Sequence, residues 1–449
     1  MRLRLRLALS VVVAMAAALV AVPAGAGAIE VELQPDGQSY APAMSADGRW
    51  VAFISEATNL LGGDPSADPN GHADVFLVDT LTSTIRAVSS AGVPADGDSL
   101  DVDISADGRY VAFETFATNI VPDDANGSAG DIVLFDAQTG GLSLVSRRGA
   151  AGVQGNDASY APSISADGTK VAFGSRATNL ISSDTNGRSD IFVRDLVAGV
   201  TSRVSTDSSG RQANNSSFDA VIASGGGFVA LSSLASNLVS GDTNGARDVF
   251  LKNLSTGKVT RSSISNGERQ GGSSSGLEDI SANGRWVVFS SFASNLVRGD
   301  DNNKGDVFVR DRIDATTVRV SRRGAMEANG ESFGAAISDD GSFVVFGTRA
   351  TNLDVEPDGN GSLTDIYEYR AATKTLVRVS VDAAGTWTDG ASYDVTIAGD
   401  GTVVAFASLA TDIAPADLDG VDDVFTHGWV GGARAERVLA WWSRVLLAL

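Results

Sequence analysis

One turn recurs down the chain at a nearly fixed interval. "SADG" begins at Ser45 and returns at Ser105 and Ser165. It reads "ASGG" from Ala223, "SANG" from Ser281, "SDDG" from Ser338 and "AGDG" from Ala398. The spacings are 60, 60, 58, 58, 57 and 60 residues. A supersecondary unit of that length cannot bury its apolar face alone, so neighbouring copies must stack on one another.

Each unit holds four runs of strand length. A short run precedes the turn, as in Tyr40-Ala-Pro-Ala-Met44, and a second follows it, as in "RWVAFIS" from Arg49. A long loop leads to a third, "DVFLVD" from Asp74, and then to a fourth, "TIRAVS" from Thr84. Val, Ile, Phe and Thr fill these runs, and Gly, Asp, Asn and Ser bound them. The expected fold is all-β: a seven-bladed β-propeller of four-stranded antiparallel blades.

The apolar register agrees. The second run carries Phe53, Phe113, Phe173, Leu231, Phe289, Phe346 and Phe406, and the third carries Phe76, Val133, Phe192, Phe250, Phe308, Tyr367 and Phe425. One large residue per strand per blade is what packing between adjacent sheets needs, so this stripe reads as core. The first three runs occur seven times but the fourth only six. The stretch "IEVELQPDGQSYAP" from Ile29 matches the junction between two blades elsewhere. The strand from Ile29 to Gln34 is therefore expected to complete the last blade, which leaves no open edge between first and last.

The turn followed by "VAF" and then by "D-[VI]-F" resembles the WD-like propeller repeats of the TolB type. More narrowly, "A-[ST]-N-L … D-x-N-G … D-[VI]-F" is similar to the repeat of secreted bacterial propeller proteins. The resemblance covers about residues 30 to 426 and implies the propeller fold. The chain departs from TolB in having seven blades rather than six, and in its longer loop between second and third strands.

The N-terminus carries an address. Arg2, Arg4 and Arg6 precede the apolar run Leu7 to Val22, and Ala24-Gly-Ala26 and Ala26-Gly-Ala28 offer small residues for cleavage. Residues 1–28 thus read as a signal peptide, 29–428 as the propeller and 429–449 as an apolar tail. The expected location is secreted or extracytoplasmic, in the periplasm or cell envelope. Once residues 1–28 are removed, 31 basic residues face 55 acidic ones, a net charge of −24. Such an excess argues against nucleic acid and an anionic membrane surface as partners. The tail is too short to span a bilayer, and Cys is absent, so no thiolate site or disulfide framework is available.

The loops before the third strand share a motif. It is Asp68, Asn70, Asp74 in blade one, Asp184, Asn186, Asp190 in blade three, and Asp242, Asn244, Asp248 in blade four. Blade five has Asp300, Asn302, Asp306, and blade seven Asp417, Asp419, Asp423. Blades two and six insert one residue: Asp124, Asn126, Asp131 and Asp358, Asn360, Asp365. Three such oxygen donors around a glycine suit calcium, the one cofactor the sequence suggests. The glycine nevertheless arrives two residues early for a calcium loop, whereas Asn-Gly at positive φ, with Asp side chains accepting backbone N–H groups, makes a tight turn. Asn303 stands where the other loops have glycine and can take the same conformation. The turn is the expectation; calcium is the alternative.

No catalytic constellation is present. His72 and His427 fall on opposite faces, and both read as solvated surface residues. Blade-specific residues on the long-loop face are the candidate partner contacts: Trp387, Arg147, Arg148, Arg322 and Arg323. The expected function is an exported, non-catalytic binding or scaffold module, acting as a monomer through that face on a protein or glycan of the cell envelope. The alternatives are a calcium-dependent adhesion module, or a hydrolase using carboxylates at the channel mouth.

Overall fold

The computed structural model describes residues 35–62, 68, 70–90, 92–121, 124–149, 152–382, 384–414, 420–428 and 438–440. Seven four-stranded antiparallel sheets form the blades of a β-propeller. Blade one is Ser39–Met44, Trp50–Ser55, Asp74–Asp79 and Thr84–Ala87, in that spatial order from axis to rim. Blade six is Ser332–Ile337, Phe343–Thr348, Asp365–Arg370 and Thr375–Arg378. Among the described residues there is no helix. The expected signal peptide and most of the tail lie outside them.

The core stripe forms as its register requires. Phe53 pairs with Phe76, Phe173 with Phe192, Phe289 with Phe308, Phe346 with Tyr367 and Phe406 with Phe425 as direct cross-strand neighbours. Their rings lie 5.6 to 6.4 Å apart. All are buried, and each contributes the area that a sheet-on-sheet interface lives on.

Repetition also builds the turns. In the first, the Ser45 hydroxyl donates to Asp47 at 2.8 Å and accepts the Trp50 N–H at 2.9 Å, while Gly48 takes a φ of 70°. That glycine is required for a second reason. A Cβ at Gly108 would lie 2.2 Å from the Trp50 ring, and one at Gly341 2.4 Å from Trp286. Six of the seven turns thus seat on the first residue of the second strand in the blade before; Gly226 of blade four does not pack so closely.

Two rings of backbone hydrogen bonds tie blade to blade. On the short-turn face, N–H groups of Ala46, Ala106, Ala166, Gly225, Ala282, Asp339 and Asp400 each donate to the turn of the next blade, at 2.8 to 3.1 Å. On the long-loop face, the first residue of each inner strand donates to the residue before the third strand of the preceding blade, from Ser39 to Asp422 at 2.6 Å up to Ser217 to Ser189 at 2.9 Å. Both rings run unbroken from blade seven to blade one.

The fourth place in blade seven is held by Val438–Ala440, antiparallel to Asp423–Gly428 with Phe425 opposite Ala440. The strand count assigned that place to Ile29–Gln34, which lies outside the described residues. A three-residue rim strand pairs through its backbone, so composition alone marks it weakly. A second departure is His427: it sits within a third strand and is 2% exposed, rather than on the surface.

Candidate functional site: the acidic channel and the loops around it

The inner strands of all seven blades line a central channel with a cavity of about 490 Å³. Seven carboxyl side chains line it: Asp101, Asp219, Glu278 and Asp394 toward the long loops, and Asp103, Asp279 and Asp339 toward the short turns. No Lys, Arg or His is among the lining residues.

A bulge in every inner strand sets the first group. The third residue has a left-handed backbone at Ala41, Asp101, Ala161, Asp219 and Asp394, with φ between 43° and 48°, and at Gly334. Asp tolerates that region better than most side chains, and a bulge re-aims the side chain it carries. The inner strand is also an edge, whose N–H groups need acceptors. Asp103 takes the Ile164 N–H at 2.7 Å, Asp279 the Ile337 N–H at 2.8 Å and Glu278 the Ala335 N–H at 3.2 Å, each from the next blade. These carboxylates therefore protect the edge as well as charging the channel.

Withdrawal from water dominates their electrostatics. Burial pushes Asp103 up to about 6 and Asp279 up to about 7, in each case against two backbone N–H donors that pull down. Glu114, buried on the second strand of blade two, is pushed up to about 8 by burial first and then by the charge of Asp101, with which it shares a hydrogen bond. Gly130 makes room for it: a Cβ there would stand 2.5 Å from the Glu114 carboxyl. Arg247, 3.3 Å from Asp219, is the cation at the mouth.

Around the mouth stand the motif loops. The last Asp of the motif is a clamp for the rim strand: Ser89, Ser146, Ser205, Ser263, Ser321 and Ser380 each donate to it, at 2.5 to 3.1 Å. The Asn accepts the backbone N–H two residues on, as His72 to Asn70 at 2.9 Å and Arg188 to Asn186 at 2.8 Å. Gly71, Gly187 and Gly245 take positive φ, and Asn303 does so too at 56°.

What lies between the two carboxylates comes from the same chain. In blade three, Gln212 Nε2 donates to Asp184 at 2.9 Å and Asp190 at 3.0 Å, and Arg203 stands 3.6 Å from both. In blade four, Gln270 reaches Asp242 at 2.8 Å and Asp248 at 2.7 Å, with Arg261 at 3.6 Å. Blade five uses Arg319, within 3.2 Å of Asp300 and 3.0 Å of Asp306 and Glu327. Blade one has Pro94 and Ala87 at those positions, so Asp68 and Asp74 meet each other; burial, then Asp74, pushes Asp68 up to about 6. Asp417 and Asp419 of blade seven lie outside the described residues.

The partner candidates divide. Trp387 is half-buried with its ring under the Arg378 guanidinium at 3.5 Å, in the position of the blade-three Gln. Arg322 and Arg323 form a two-residue strand against Met326–Glu327, and Arg323 donates to the Asp354 carbonyl. Arg147 pairs with Gln154 through its backbone, while Arg148 is exposed. They do not converge on the channel carboxylates. The sequence reading named no channel residue individually. The Asp at the third place of three inner strands was the available signal.

No family profile matches the chain, and no curated protein matches it. Among solved structures it is similar to the β-propeller domain of the Trilobed protease from Pyrococcus furiosus, at 10% identity over 88% of this chain and 96% of that one, TM-score 0.54. It is similar to oligogalacturonate lyase from Vibrio parahaemolyticus, at 12% identity over 88% and 92%, TM-score 0.51. These likenesses show a fold. TolB from Acinetobacter baumannii is also similar, at 16% identity and TM-score 0.42, over 76% of this chain and 63% of TolB.

Proposed function

We propose that the protein is an exported, non-catalytic binding module that takes a positively charged segment of an envelope partner on its long-loop face, at the mouth of the channel. One observation carries this reading: seven carboxyl groups line a cavity of about 490 Å³ that has no cation in its wall. Low-dielectric walls bearing one sign of charge focus the field, raising the local concentration of the opposite charge. Two of the mouth carboxylates, Asp101 and Asp394, are exposed and reachable from the loop side. Export rests on the arginine-led apolar start of the chain.

The test is binding of a labelled Lys-rich peptide against a Glu-rich peptide of equal length. Selective binding of the first, weakened by salt, supports the reading; equal binding of both overturns it.

A catalytic reading has one specific observation behind it. Glu114 holds its proton to about 8 beside Asp101, a fit state for a general acid. The propeller folds of a lyase and a protease are compatible with such a role. Turnover of an acidic or neutral glycan that Glu114→Gln abolishes would favour it over the binding module.

A further inference from the structure

Blades two and six have motif loops of the same length and the same internal bonding. In blade two, Asn126 and Gly127 donate their N–H groups to Asp124 Oδ1 at 3.1 and 3.2 Å, and the Asn126 amide donates to Asp131 Oδ1 at 3.5 Å and the Gly155 carbonyl at 3.1 Å. In blade six, Asn360 and Gly361 donate to Asp358 Oδ1 at 3.0 and 3.1 Å. The Asn360 amide donates to Asp365 Oδ1 at 3.2 Å and the Thr388 carbonyl at 3.1 Å.

The difference lies at the centre. Gln154 Nε2 in blade two donates at once to Asp124 at 3.0 Å, to Asn126 Oδ1 at 2.8 Å and to Asp131 Oδ2. Three oxygens thus converge on one positive point. Trp387 replaces that glutamine in blade six. Asp358 Oδ2, Asn360 Oδ1 and Asp365 Oδ2 are buried there without a hydrogen-bond partner, and Asp365 is 1% exposed. Arg378, at the place of blade-five Arg319, forms no ion pair with these carboxylates; burial raises the pKa of Asp358 and Asp365, and the Arg378 charge offsets this only in part. Arg378 stacks on Trp387 at 3.5 Å, and its nearest ion-pair partner is Asp354 at 3.6 Å.

We propose that this oxygen trio of blade six binds a calcium ion. Two carboxylates and an amide carbonyl are hard donors, and in blades two, three, four and five the corresponding point receives an N–H, from Gln154, Gln212, Gln270 and Arg319. The exposed glycines on either side, Gly359 and Gly361, leave the outer coordination positions to water. Magnesium demands a tighter octahedron than a fixed three-oxygen wall of this kind supplies. The site is independent of the channel and of the binding reading given to it.

Calorimetric titration of the full chain with calcium and with magnesium tests this, together with terbium luminescence excited through tryptophan, since the Trp387 indole packs against Gly359. The expected result is calcium uptake, not matched by magnesium, with tryptophan-sensitised terbium emission that calcium displaces. Trp387→Gln restores the blade-two amide and should weaken calcium by about tenfold or more. Asp365→Asn keeps the indole and should lose terbium emission to a similar degree. No calcium-specific uptake in the wild-type chain, or uptake unchanged in both variants with native circular dichroism, overturns the site.

Discussion

The Asp400 N–H donates to the Ala46 carbonyl oxygen at 3.1 Å, joining blade seven to blade one near the axis. This bond and its counterpart from Ser39 to Asp422 close the ring through inner strands, so closure does not rest on the rim strand alone. A chain ended after Gly428 should therefore keep its β circular dichroism and a cooperative melt, at a lower midpoint. Complete loss of folded structure on that truncation would show that the rim strand is what closes the ring.

The turn glycines should not be equivalent. Ala at Gly341 meets the Trp286 ring at 2.4 Å and carries a φ of 74°, whereas Ala at Gly226 has nothing closer than 3.6 Å. Gly341→Ala is expected to cost about 2–4 kcal/mol by overpacking and backbone strain together. Gly226→Ala should cost about 1 kcal/mol from backbone strain alone. Urea unfolding of the two variants compares them directly.

The glutamine bridges should carry measurable stability. Gln270→Ala removes a donor from Asp242 and Asp248, of which Asp248 is fully buried, and should cost about 1–3 kcal/mol. A loss under a few tenths of a kcal/mol, read from the shift in urea midpoint, would mean that Arg261 alone satisfies the pair.

Raised carboxyl pKa values give the pH dependence a definite sign. A carboxyl that holds its proton more tightly folded than unfolded favours the folded state at low pH and loses that advantage as pH rises through the folded value. Glu114 moves from its usual 4.5 to about 8, so its contribution fades across that interval. Glu114→Gln keeps a donor toward Asp101 and an acceptor for Ala161. Its melting temperature should fall less than the wild type's between about pH 5 and pH 9. Parallel pH profiles would place the proton elsewhere.

The blade core was legible because every copy must solve the same packing problem at the same register. Phe53 and Phe76 stood in repeating stripes that read as core, and the structure pairs them directly. The turn serine and glycine were legible for the same reason. The bridge from Gln212 to Asp184 was not, because 28 residues separate them and only the closed blade brings them together. Trp387 was visible as an exception, but its meaning appears only once it is seen to stand where Gln154 stands in blade two. The channel carboxylates were hidden differently. Their charge was plain in the composition, yet only the bulge and the ring show that they face one axis.

The measurement closest to the central claim is the affinity of a Lys-rich peptide for the full chain, by fluorescence anisotropy, with and without Asp101→Asn and Asp394→Asn together. The account predicts binding that the double variant weakens by about tenfold or more, with a shallower dependence on salt. Unchanged affinity in the double variant, with the fold intact, would contradict it.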